Sequence, residues 1–160
     1  MRHSITVIPF LCVALTVQGC EQEPRDDRQA EVAAAGALVM PFDLDRSTHT
    51  FEKTDFGGVQ SVVSDDGDAD QTRLIREHLS SEATRFAEGD FHDPEMIHGE
   101  DMPGLHALVM GAAQLDIVYT DIDGGGRIRY GSEDPALIAA LHQWFEAQLS
   151  DHGAHAQANH

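Results

Sequence analysis

The densest chemistry in the chain lies between Phe91 and His106, FHDPEMIHGEDMPGLH. It holds His92, His98 and His106, the carboxylates Asp93, Glu95, Glu100 and Asp101, and the thioethers Met96 and Met102, with Asp90 just upstream. Within it His98, Asp101, Met102 and His106 form a first candidate metal site. Imidazole suits Zn and Cu, carboxylate adds charge, and thioether suits Cu(I). The spacings His98-x-x-Asp101 and Met102-x-x-x-His106 can be gathered by a turn and the start of a helix. The same residues offer a hydrolase-like alternative, with His98 or His106 as general base oriented by Asp101. No established metal motif such as H-E-x-x-H is present. Purely structural roles compete: Asp101 as a helix cap, Met102 as a core plug, His98 as a loop hydrogen-bonder.

A second candidate metal site is His49, His78 and His142, three imidazoles for Zn or Cu that pseudo-symmetric halves of the chain would bring together. A third group, Asp151, His152, His155 and His160, lies in a His-containing tail that would scavenge divalent metals weakly. Nucleophilic catalysis has little to work with. There is no G-x-S-x-G elbow, and the cysteines are Cys12 and Cys20. Trp144 and Phe145 read as packing residues.

These groups need elements to hold them. Thr48–Glu52 and Val59–Val63 read as strands joined at Gly57-Gly58. His49, Phe51 and Lys53 then share one face. Leu74, Ile75, His78, Leu79, Ala83 and Phe86 recur at spacings of three and four, which predicts a helix over 70–87, ended by Gly89. A short helix should follow Pro103 and run to Gly111. Leu115–Tyr119 and Arg127–Tyr130 read as a second hairpin, turned by Asp123-Gly124-Gly125-Gly126. Pro135 opens a last helix whose apolar side is Leu137, Ile138, Leu141, Trp144, Phe145 and Leu149, ending at Asp151-His152-Gly153. Each half reads hairpin, acidic turn, helix. The expected fold is therefore α+β: a four-stranded antiparallel sheet with two main helices on one face (ββαββα), plus a short helix in the connection.

The chain has 160 residues, 41% hydrophobic, with a formal net charge of -18. That composition suits one compact domain. The charge argues against nucleic acid and anionic lipid surfaces as partners, since both repel such a chain.

Arg2 and His3 precede an apolar run from Ile5 to Val17, followed by Gln18, Gly19 and Cys20. A basic start, a short apolar core and a small residue before the break make a secretory signal, too short to span a bilayer as a helix. The ending Val17-Gln18-Gly19-Cys20 resembles a bacterial lipobox. The resemblance implies cleavage before Cys20 and lipidation of that cysteine. With Glu21 next, it also implies an outer-membrane position facing the periplasm in a Gram-negative cell. Cys12 leaves with the signal, so any resident metal must use His, Asp, Glu or Met. The expected organisation is signal 1–19, tether 20–39, domain 40–153 and flexible tail 154–160.

Four phrases carry a further likeness: MPFDLDRSTHTFEKTDFGGVQ from Met40, LIREHLSSEATRFAEGDFHDP from Leu74, IHGEDMPGL from Ile97 and LHQWFEAQLSDHG from Leu141. They resemble a family of small bacterial envelope proteins that often bear the label aspartate carbamoyltransferase. The label conflicts with the residues. Only Arg46-Ser47-Thr48 suggests that enzyme's phosphate loop, and one small domain cannot house its two-domain cleft. The resemblance implies a coherent fold over Met40 to about Ala154 and marks His98–Leu105, without supplying a mechanism. The expected function is that of a lipid-anchored, non-enzymatic envelope protein. It would bind Cu or Zn, or a protein partner, through residues 91–106, with the hydrolase-like enzyme and a purely structural interaction module as alternatives.

Overall fold

The computed structural model describes residues 23–159; the expected signal, Cys20 and His160 lie outside the described residues. The elements run α1 (Glu23–Val39), β1 (Ser47–Thr54), β2 (Gly57–Ser64), α2 (Ala69–Ala87), α3 (His92–His98), α4 (Leu105–Gly111), β3 (Asp116–Ile122), β4 (Gly125–Gly131), α5 (Pro135–His152) and β5 (Ala156–Asn159).

The two hairpins form as their alternation dictates, and they join through their second strands. Strand order is β3-β4-β2-β1-β5, with β2 antiparallel to β4. Helix α2 lies on β3 and β4, and α5 lies on β1 and β2. Each long helix thus covers the hairpin of the other half. Both start at an aspartate cap: Asp68 accepts from Gln71 N at 2.9 Å and Asp134 from Ala136 N at 2.8 Å. One core lies between helices and sheet, with Phe51, Val62, Ile128 and Tyr130 from the strands meeting Ile75, Phe86, Leu141, Trp144 and Phe145 from the helices.

The sheet corrects the expected four-stranded antiparallel arrangement. It has five strands and is mixed, because β5 pairs parallel to β1, Phe51 opposite Ala158. The tail expected to be flexible supplies that strand, since β1 would otherwise be left as an open edge. Among the described residues five helices replace the two main ones and a short connector. The expected tether is, from Glu23 onward, helix α1. Its Val32 is fully buried, and its Arg28 and Gln29 bond to the α3 and α5 ends. The first hairpin also turns earlier than expected, at Asp55-Phe56, because Thr54 pairs with Gly57. Gly58 is a packing glycine inside β2: a Cβ there would come within 2.3 Å of the Phe145 ring.

Candidate functional site

The first expected constellation is not gathered. Met102 is drawn into the core, while Asp101 and His106 face solvent. His98 closes α3 and points inward. Asp101 does not cap α4 either; Gly104 occupies that position without a side-chain bond. The carboxylate that orients His98 comes from elsewhere. Asp151 Oδ2 accepts from His98 Nδ1 at 2.8 Å, and takes Arg28 Nη2 at the same distance.

The second constellation splits. His49 and His78 line one cavity, but His142 is remote from it. The His142 Nε2–H lies 2.9 Å from Gly57 O and 3.1 Å from Thr54 O, holding the first hairpin's turn against α5. From the third group, His152 joins the cavity and His155 stays at the surface beside Asp45. Among the described residues no three His, Cys, Asp or Glu side chains are arranged to hold a metal ion.

What the fold does assemble is a cavity of about 40 Å³ between α2, α3, α5 and the inner sheet face. His49 reaches it from β1, His78 and Glu82 from α2, Asp93 and His98 from α3, and Trp144, Gln148 and His152 from α5. The imidazoles pack in a row. His98 and His152 meet edge to face with ring centres 5.0 Å apart, His152 and His49 lie 5.5 Å apart, and Phe42 contacts both His49 and His78. His152 Nε2 donates to Gln148 Oε1 at 2.9 Å.

Burial sets the protonation of this row, because the low-dielectric interior disfavours the charged ring. It brings His49 down to about 4, with the neighbouring His78 and His155 adding to the effect. His152 falls to about 3, by burial and then by His49 and His98. His78 and His98 are lowered for the same first reason, and Asp151 partly offsets it at His98. At neutral pH the row is uncharged.

The carboxyls divide. Glu82, only 5% exposed, is raised to about 8 by burial and then by the charge of Asp93. Burial pushes Asp93 upward too, but Arg85 and a hydrogen bond from Glu82 hold it below its ordinary value. Arg85 clamps the group, donating to Glu82 at 2.8 Å, to Asp93 at 2.7 Å and to Asp90 at 2.8 Å. A protonated acid beside an ionised one, with imidazoles nearby, is an arrangement that can donate and accept protons.

Two fully buried polar atoms on residues that line the cavity have no protein partner: His49 Nε2 and Trp144 Nε1. Both residues are nearly inaccessible, at 3% and 1%. Buried donors and acceptors are rarely left unpaired, so the two mark a costly spot in the core.

Glu82 was legible in principle, standing between Leu79 and Phe86 on the apolar stripe of α2. An acid on a buried stripe is a signal. Asp151 was not legible as the partner of His98, from which it is 53 residues distant. The Arg46-Ser47-Thr48 phrase is occupied structurally: Arg46 pairs with Asp66 at 2.6 Å and Thr48 Oγ1 donates to Asp65 at 2.7 Å.

Among the described residues no helix is long and apolar enough to cross a membrane. Compared with known proteins, the chain matches no family model, no curated sequence and no solved structure.

Proposed function

We propose that this chain is a lipid-anchored envelope domain that binds a small polar molecule in the cavity between α2, α3, α5 and the sheet. The observation that carries the binding reading is the convergence on one cavity of four imidazoles, His49, His78, His98 and His152, with Glu82 and Asp93. Ligand sites are concave, with apolar walls and a few convergent polar groups, and this cavity combines both. Phe42, Phe86 and Ile128 supply the apolar wall, and the uncharged histidine row supplies the polar one.

Trp144 is the chain's one tryptophan, so its indole N–H gives a single, assignable nuclear magnetic resonance signal. Titrating the full chain with a panel of small amides, alcohols, ketones and carboxylates should shift that signal saturably for at least one probe. A signal unmoved by the whole panel would remove the binding reading.

The anchoring reading rests on Val17-Gln18-Gly19-Cys20. Expressed in a Gram-negative host, the chain should fractionate with membranes and carry diacylglycerol on Cys20, and Cys20→Ser should shift it to the soluble fraction. Equal partitioning of both forms would sink the anchor.

A further inference from the structure

The acids on the cavity wall select its ligand, on the reading that the cavity binds a small polar molecule. We infer that the ligand is a small organic cation, a short primary ammonium whose head meets His78, Glu82 and Asp93 and whose carbon tail lies on Phe42 and Phe86.

All five residues line the cavity. His78, Glu82 and Phe86 recur at four-residue intervals on α2, so they share one face. Arg85 Nη1 donates to Glu82 at 2.8 Å and to Asp93 at 2.7 Å, which makes the two carboxyls neighbours. Phe42 meets the His78 ring edge to face, with centres 5.7 Å apart. A ligand can reach this wall: His78 and Asp93 are half-buried, and the Asp93 side chain keeps 18% of its surface.

One guanidinium, Arg85, serves three carboxyls, Glu82, Asp90 and Asp93. The cluster therefore lacks positive charge. Burial and the Asp93 charge raise Glu82 to about 8, so at neutral pH a proton stands in for the missing cation. An entering ammonium supplies that charge and displaces the proton. An anion would add to the imbalance, and an unpaired buried charge is strongly unfavourable.

Hydrogen bonding agrees. An ammonium carries three donors and no acceptor, and carboxylates and a neutral imidazole supply acceptors. Burial and the charges of Asp93 and Arg85 act on His78, and no hydrogen bond among the described residues holds it. The faces of Phe42 and Phe86 also attract a cation. A volume of about 40 Å³ gives roughly three water-sized positions, at about 10–15 Å³ each, which suits a head and two carbons.

The exchange of proton for cation makes binding depend on pH. Facing Glu82 are His78 and Arg85 on α2, Asp90 before α3, Asp93 and His98 on α3, His152 on α5, and His49 and Tyr130 on the sheet. All four histidines are lowered, Asp90 and Asp93 are lowered, and Arg85 and Tyr130 are raised. Between pH 6.5 and 8 Glu82 is then the group among them that changes charge.

Ethylammonium, ethanol and formate have the same number of non-hydrogen atoms and are cationic, neutral and anionic. The amine stays protonated in this range, as a lysine does. Each is titrated against the Trp144 indole signal of the full chain at constant ionic strength, at pH 6.5 and at pH 8. At pH 8 ethylammonium should bind saturably, at least about tenfold tighter than ethanol or formate, the factor one charge-assisted hydrogen bond produces. Its affinity should rise at least about tenfold from pH 6.5 to 8, as Glu82 gives up its proton. Glu82→Gln, checked for native shift dispersion, should lose that rise. Ethanol or formate binding as well as ethylammonium, an ethylammonium affinity equal at the two pH values, or a rise that persists in Glu82→Gln would overturn the cation assignment and leave the binding cavity standing. No saturable shift with any of the three, while a member of the wider panel does bind, would overturn the assignment alone. No binding by the three or by the wider panel would overturn both.

Discussion

His98 and Asp151 are joined by a 2.8 Å hydrogen bond that ties the last residue of α3 to the last turn of α5. Arg28 of α1 reinforces the bond from outside, donating both to Asp151 and to the backbone oxygen of His98. Three helix segments therefore converge on His98, whose imidazole is also part of the cavity wall. Support of the cavity and docking of α1 are the same set of contacts.

The titrations give the fold an optimum pH. His49 and His152 titrate near 6.5 when unfolded but at about 4 and about 3 when folded. Between those values the unfolded chain binds more protons, so stability falls as pH drops below about 6.5. Glu82 acts oppositely, rising from 4.5 to about 8, so the folded chain holds its proton longer and stability falls as pH rises toward 8. Two histidines outweigh one glutamate on the acid side, and above 6.5 Glu82 acts alone. Urea midpoints measured across pH 4 to 9 should peak near about 6.5. A midpoint still climbing at pH 8 would contradict the Glu82 assignment.

Glu82→Gln keeps the size and the hydrogen-bonding capacity of the protonated acid. It should match the parent near pH 4, where the carboxyl is protonated in both states, exceed it increasingly above about pH 4.5, and abolish the decline between pH 6.5 and 8. Glu82→Ala should be about 1–3 kcal/mol less stable than Glu82→Gln at every pH in that range, because Arg85 loses a buried partner. Denaturant curves on both variants separate the proton from the side chain.

Gly104 should tolerate no side chain. Its φ is +81°, and a Cβ would approach Ala140 O to 2.1 Å where α4 docks on α5. Gly104→Ala should therefore lose at least about 2 kcal/mol. Gly67→Ala, at φ +69° with open space around it, shows what a positive φ costs without a close neighbour. Equal losses in the two variants would show that close packing at Gly104 contributes nothing.

Helix α1 should behave as part of the domain. Val32→Asp places a charge at a fully buried position and should free the helix, at a cost above about 2 kcal/mol. Hydrogen exchange would then rise along 23–39 while β1, β2 and β4 remain protected. Exchange in α1 that is already fast in the parent chain would contradict the docking.

Strong periodicity was read correctly and weak periodicity was not. The stripe from Leu74 to Phe86 placed α2 almost to the residue, and Pro135 placed the start of α5. Helix α1 hid because alanine and charge dominate it, and one fully buried side chain, Val32, makes no stripe. Strand β5, Ala-Gln-Ala-Asn, has no strand propensity of its own; its place is set by the open edge of β1. The cavity shows the same limit. Its histidines were divided among three candidate groups, because spacing links residues within a turn of helix and not across a sheet. His142 looked equivalent to His78 by its position on a helix, yet it faces a turn rather than the cavity.

The docking of α1 also fixes a working distance. With a lipid on Cys20, only Glu21 and Gln22 separate the anchor from the first residue of α1. Fully extended, that connection spans roughly 11 Å. Arg28, beside the cavity wall, lies about 8 Å further along the helix axis. The binding site would thus ride within about two nanometres of the headgroups, moored rather than roaming. Small solutes reach such a berth freely, whereas a bulky partner would have to approach from the side facing away from the bilayer.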